Sequence, residues 1–233
     1  MRCVRVAAVT AVVPSTSVVA VVVAAVLGIV AGWVANRLAG GFPWPSEGKP
    51  AGPAVRLPFV EIGTALLFAL TALRFGPSWE LPAFLYLAGA GVLLGLIDVQ
   101  HKLLPDRVTL PSIGIGAGLL AVAALGTHEW PAWGRAVLSA AILFVVFFVL
   151  VLISPRSIGM GDAKLAALLG LYLGWLGAPV LVIGVAAGFV VQAVLALGLL
   201  ATRRIGLRGE LPFGPAMLIG AALAIGWSGA IPG

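Results

Sequence analysis

The apolar residues of this chain fall into long runs, each near the length needed to cross a bilayer, which takes about 20 residues with roughly 17 to 25 tolerated. Eight helices are predicted, at about 17–38, 59–75, 82–98, 108–126, 134–153, 163–176, 178–201 and 214–231. The sixth is short and is expected as a partial or tilted span. Only 9% of the 233 residues are charged, where a soluble domain carries roughly a quarter. The expectation is an all-α, polytopic membrane protein with about eight transmembrane helices, folded as a single membrane domain over 1–233. Its 31 glycines and many alanines suit close helix–helix packing, because in lipid hydrophobicity alone does not drive helices together.

Loop charge orients the set. With the first helix running outside to inside, the inner segments hold Arg37, Lys49, Arg56, Lys102, Arg107, Arg156, Lys164, Arg203, Arg204 and Arg208. Arg2, Arg5, Arg74 and Arg135 fall outside, so ten cations face four, the asymmetry expected for cytoplasmic loops. Arg2 and Arg5 are the exception, and a cleaved signal peptide over 1–31 competes with a retained first helix. The apolar run is too long for a signal core, which favours the helix. Cationic loops beside anionic lipid account for the net charge of +6 without nucleic acid. Cys3 is the only cysteine, which excludes an internal disulfide and a Cys-based zinc site. His101 and His128 fall on opposite predicted faces and share no metal. The stretch 40–53, with four prolines and four glycines, reads as an irregular cytoplasmic connection.

Two aspartates stand out. Asp98 closes the third apolar segment and Asp162 opens the sixth. Ionisable groups beside hydrocarbon are costly and mark functional sites by default. On this topology both lie at the inner face, where a shared site is plausible. Two adjacent carboxylates retain one proton between them and titrate as a unit, so one can deprotonate water while the other donates a proton, as in an aspartic protease. Simpler roles stay open: Asp162 as a helix N-cap, and Asp98 as an interfacial anchor paired with Lys102. Gly159 and Gly161 strip side chains from the approach to Asp162. Pro105 ends any continuation past Asp98. Asp106 reads first as an N-cap of the fourth helix. Glu61 either pairs with an arginine such as Arg56 or joins the site. Glu210 to Pro215 forms a rigid, helix-breaking approach to the last span.

The ordered set Asp98, Leu104-Pro105-Asp106, Gly159-Met160-Gly161-Asp162-Ala163-Lys164-Leu165 and Pro212-Phe213-Gly214-Pro215 resembles the prepilin peptidases. These are the type IV leader peptidase family of polytopic Gly-x-Gly-Asp aspartic proteases. Arg56-Leu57-Pro58-Phe59-Val60-Glu61 is similar to the family's segment leading into the second helix. The resemblance implies a peptidase core over about 57–233, preceded by a first helix and a short Pro/Gly-rich cytoplasmic loop over 1–56. It implies Asp98 and Asp162 as the catalytic pair, with Gly159, Gly161, Asp106, Lys164, Glu61, Pro212 and Gly214 supporting them or binding substrate. No metal and no cofactor are expected. The implied partners, besides lipid, are leader peptides of type IV prepilins or pseudopilins, cut at the cytoplasmic face of the cell membrane.

Longer family members carry paired Cys-x-x-Cys motifs in a cytoplasmic insertion and also N-methylate the product, using S-adenosylmethionine. The loop here is short and has no cysteine, which excludes zinc there on ligand grounds, makes methylation doubtful and favours cleavage alone. The main alternative is a proton-coupled transporter using Asp98 and Asp162 as ionisable sites, although such groups tend to lie at the bilayer midplane on broken helices. A non-catalytic membrane scaffold leaves the motif set as coincidence.

Overall fold

A bilayer offers no water to the backbone, so a spanning segment must satisfy its N–H and C=O groups internally, as a helix does. The computed structural model describes residues 15–44, 52–56, 58–154, 159–201 and 211–230. The cations Arg2, Arg5, Lys49, Arg156, Arg203, Arg204 and Arg208 lie outside these residues, as do Cys3, Leu57 and Glu210. Among the described residues there are eight α-helices and no strand: α1 (Ser15–Gly40), α2 (Phe59–Phe75), α3 (Leu81–His101), α4 (Asp106–Thr127), α5 (Trp130–Ile153), α6 (Met160–Leu176), α7 (Ala178–Ala201) and α8 (Gly214–Trp227), which ends in a 3₁₀ turn, Ser228–Ala230.

Five of them (α1, α3, α4, α5 and α7) are long and apolar enough to cross a membrane. The other three are shorter, with 17 residues in α2, 17 in α6 and 14 in α8. The chain is a multi-pass membrane protein. Five of the helices run further than the apolar runs suggest, α1 by two residues at each end. Helix α3 continues to His101, so Asp98 lies inside its last turn rather than closing it, and α4, α5 and α6 each begin two to four residues early.

Three glycine pairs spaced by four residues bring helices together. A methyl group on Gly28 would come 2.7 Å from the Ala65 Cα, and one on Gly32 would come 2.9 Å from the Glu61 Cα, so α1 rests directly on the α2 backbone. Gly170 and Gly174 do the same for α6 against Ser139 of α5. Gly184 meets Leu173, and Gly188 lies where a Cβ on Gly220 of α8 would strike its backbone. Close approach of this kind supplies the dispersion contact that holds helices together in lipid. Helix α6 is the centre: every residue from Leu165 to Trp175 is buried, with α4, α5, α7 and α8 packed around it.

Polar side chains gather at the two ends of the bundle. At one end Arg135 donates to the Gly174 and Trp175 carbonyls, both at 2.9 Å, satisfying orphan acceptors at the end of α6. The Trp175 indole donates to Glu80, and Arg74 donates to Ser228. The other end holds the C-termini of α1 and α3 and the N-termini of α2, α4, α6 and α8.

Gly220→Leu is expected to lower the unfolding temperature in detergent or to prevent accumulation, since overpacking a well-packed core costs about 1–3 kcal/mol or more. The same change at Gly114, which has nothing within 4 Å, should leave it unmoved. Equal melting of the two variants would contradict the α7–α8 contact.

Candidate active site

Three helix termini converge on Asp98. Helix α3 is stopped by Lys102 in the left-handed region, φ 51° and ψ 39°, and the Lys102 N–H donates to the Asp98 carbonyl at 2.8 Å. The Asp98 side chain turns inward and is only 4% exposed. Its Oδ2 accepts the Gly214 N–H at 3.1 Å. That N–H opens α8, where an unsatisfied donor and the positive end of the helix dipole both favour an anion. A Cβ on Gly214 would come 2.5 Å from the same oxygen and 3.5 Å from Leu165 of α6, so glycine is required there. The expected pairing of Asp98 with Lys102 does not form; the Lys102 side chain is exposed, and its backbone is what turns the chain.

Asp162 reaches the same place from α6. It is the third residue of that helix, and its Oδ2 accepts the Gly159 N–H at 2.9 Å. It therefore does satisfy a helix-start donor, but by reaching back from inside the first turn rather than as the N-cap, a position held by Gly159. Asp162 is half-buried and within electrostatic range of Asp98. Leu165, one turn further along α6, lies beside Gly214.

The first turn of α6 is docked to the α3–α4 connection and the start of α4. A Cβ on Gly161 would come 2.8 Å from the Leu104 Cβ, so this glycine serves close packing of the α3–α4 connection. Lys164 Nζ lies 2.6 Å from Asp106 Oδ1, an ion pair between α6 and α4. Asp106 is the first residue of α4 and makes no cap; Pro105 holds the cap position. On the far side Phe213 is buried against Phe147 and Phe189, and Pro212 and Pro215 flank the start of α8.

Glu61 stands apart from both aspartates. It makes no ion pair with Arg56, which is exposed; instead its Oε1 accepts the Asn36 amide at 3.2 Å. Asn36 escaped the sequence reading, although a wholly buried amide inside an apolar run is the same kind of anomaly as Asp98. The donor role of the Gly214 backbone had no signal beyond its place in the proline motif. His101 sits at the Asp98 end of the bundle and His128 ends α4 at the opposite one.

Fold and site together define a multi-pass helical membrane protein with two carboxylates brought to one end. Residues 84–199 match the type IV leader peptidase family. The chain belongs to that family. Its relatives include three proteins named prepilin leader peptidase/N-methyltransferase. The one from Stutzerimonas stutzeri is 33% identical over 172 residues, 74% of this chain and 58% of the relative. The one from Pseudomonas putida is 35% identical over 179 residues, 75% and 59%. The one from Burkholderia pseudomallei (strain K96243) is 37% identical over 179 residues, 73% and 54%. The chain thus spans less than two thirds of the length of these curated relatives. No solved structure matches it.

The Lys164–Asp106 pair is short but partly open, with side-chain exposures of 19% and 58%. A double-mutant cycle of Lys164→Met and Asp106→Asn on unfolding in detergent should return a coupling of no more than about 1 kcal/mol, and less in high salt. A much larger, salt-insensitive coupling would mean the pair is buried in the working protein.

Proposed function

We propose that this protein is a membrane aspartic endopeptidase that removes the leader peptide from type IV prepilins or pseudopilins at the cytoplasmic face, with Asp98 and Asp162 as its catalytic pair. The observation that carries this reading is the convergence of the two carboxylates at the meeting point of α3, α6 and α8, in a chain of the leader peptidase family. The pair holds one proton. Its ionised member takes a proton from water as the water oxygen bonds to the scissile carbonyl carbon, and the protonated member donates to the carbonyl oxygen. Collapse of the tetrahedral intermediate breaks the C–N bond, and a proton passes to the departing amine.

In this reading two of the supporting glycines act through the backbone. Gly214 holds one Asp98 oxygen, which fixes the direction of the other. Gly159 does the same for Asp162, and its lack of a side chain leaves an extended peptide room beside the acid. Lys164, Asp106 and Gly161 keep the start of α6 in register with the α3–α4 connection and α4. Pro212 fixes the approach to α8. The basic loop residues Arg56, Lys102 and Arg107 support a cytoplasmic orientation of this end. The names of the relatives pair peptidase with N-methyltransferase activity; with Cys3 as its only cysteine, this chain is proposed to cleave without methylating. Nothing in the family match favours the transport alternative.

Asp98→Asn and Asp162→Asn are each expected to slow cleavage of a purified prepilin by about 10²–10⁴-fold, the range of a positioned acid–base group, while the protein still accumulates in membranes. Normal processing by either variant would sink the pair. Mass measurement of the product reports the cleavage position and any added methyl group in one experiment. Gly214→Ala tests the geometry separately. Its Cβ displaces the Asp98 oxygen, so kcat should fall by up to ~10²-fold, as for a misplacement of about 1 Å. An unchanged kcat would show that Asp98 works without that donor.

A further inference from the structure

Both ends of the connection between α1 and α2 reach the last turn of α3. At its start the Phe42 ring lies 4.9 Å from the His101 ring. At its far end Gln100 Nε2 donates to the Ala54 carbonyl at 3.0 Å. Gln100 and His101 follow Asp98 directly on that turn. They lie just before Lys102, where the last carbonyls of α3 run out of intrahelical partners and a helix end ordinarily frays.

Asn36 holds the connection in place. Its Nδ2 donates to the Val55 carbonyl at 3.0 Å, and its Oδ1 accepts the Val55 N–H at 2.9 Å, so one side chain grips one residue's backbone at two points. The Ala54 N–H donates to the Asn36 carbonyl at 3.1 Å. Gly40 permits this closeness, since a Cβ there would overlap the Gly52 carbonyl oxygen. Glu61 Oε1 accepts the second proton of the Asn36 amide, which locks the amide with its nitrogen toward Glu61 and its oxygen toward Val55. Glu61 is only 6% exposed, and its Oε2 has no partner. A buried carboxylate with one oxygen unsatisfied is costly, and its place at the foot of this network is what accounts for it. All of these residues except Gln100 and His101 precede the stretch matched to the family, 84–199.

We infer that Phe42 and residues 54 and 55, at the two ends of the α1–α2 connection, form a clasp on the end of α3, and that Asn36 and Glu61 are positioning residues that set where Asp98 stands relative to Asp162. This rests on the proposed catalytic role of the two aspartates. The path is continuous: Glu61 orients Asn36, Asn36 fixes residues 54 and 55, Ala54 holds Gln100, and Gln100 secures the turn from which Asp98 reaches Gly214.

The test is steady-state cleavage of a purified prepilin by full-length variants in detergent, with rates normalised to folded enzyme. Asn36→Ala and Gln100→Ala should lower kcat by roughly 10- to 100-fold, the scale of a small misplacement of a reacting group, with KM unchanged. Glu61→Gln keeps an oxygen for the Asn36 amide and should retain activity, whereas Glu61→Leu should behave as Asn36→Ala does. Gln100 is an exposed side chain, so its variant reports on the clasp even where Asn36→Ala fails to fold. An unchanged kcat per folded molecule in Gln100→Ala overturns the proposal, as does a rise in KM alone or a Glu61→Gln loss equal to that of Glu61→Leu. Asp98→Asn run in parallel separates the two levels. If it still cleaves, the aspartate pair falls; if it is dead while the clasp variants keep full kcat, the clasp alone falls.

Discussion

The Asp98 carboxylate and the Gly214 N–H each need the other. Removed from water, the carboxylate lacks donors; at the first turn of α8, the N–H lacks an acceptor. Their bond at 3.1 Å satisfies both, and it dictates much of the surrounding chain. Helix α8 must begin where α3 ends, its first residue must lack a Cβ, and α3 must stay helical through Asp98 so that the side chain points into the bundle. The prolines at 212 and 215 make the start of α8 abrupt, which leaves the Gly214 N–H free to face a neighbour rather than an earlier turn of its own helix.

That contact is held by a frame with little sideways freedom. The pairs Gly28 and Gly32, Gly170 and Gly174, and Gly184 and Gly188 put backbone against a neighbouring helix's backbone or directly against its side chains. Helices in such contact do not slide without a clash. Helix α6 is the extreme case, buried on all sides from Leu165 to Trp175, and Asp162 sits on its first turn. Its position is therefore set by the packing of the core. Asp98 is attached at the end of a helix that stops in a left-handed residue, and the hydrogen bond from Gln100 to the Ala54 carbonyl acts at that end.

The membrane fold was legible because lipid allows few solutions. A run such as 134–153 has one stable form in hydrocarbon, and α5 takes it. The helix ends were less legible, because polar residues such as Gln100 and His101 stop the apolar pattern before they stop the helix. Of the site, Asp98 and Asp162 were visible as anomalies of charge. The contacts that join the site across helices were not. Gly214 is 116 residues from Asp98, and Asp106 is 58 from Lys164; such pairs arise from packing, which no local spacing encodes. Asp106 read as a cap because Asp commonly is one, and an ion pair with another helix took its place. Asn36 and Glu61 likewise meet across an interhelical contact that Gly32 makes possible.

The two aspartates do not share an environment, and the difference bears on what they can do. Asp98 is enclosed, with a helix start against one oxygen. Asp162 is half-buried, with its own helix start against one oxygen and the connection 102–105 beside it. Unlike surroundings are what allow two identical side chains to take different parts in acid–base chemistry. Both stand in terminal turns rather than mid-helix. A carboxylate pair serving an ion path across the bilayer needs access from both sides in turn, whereas hydrolysis needs water and substrate from one side only. On the proposed reading the ends of α3, α6 and α8 serve the second requirement, while the polar contacts at the opposite end tie helix termini together.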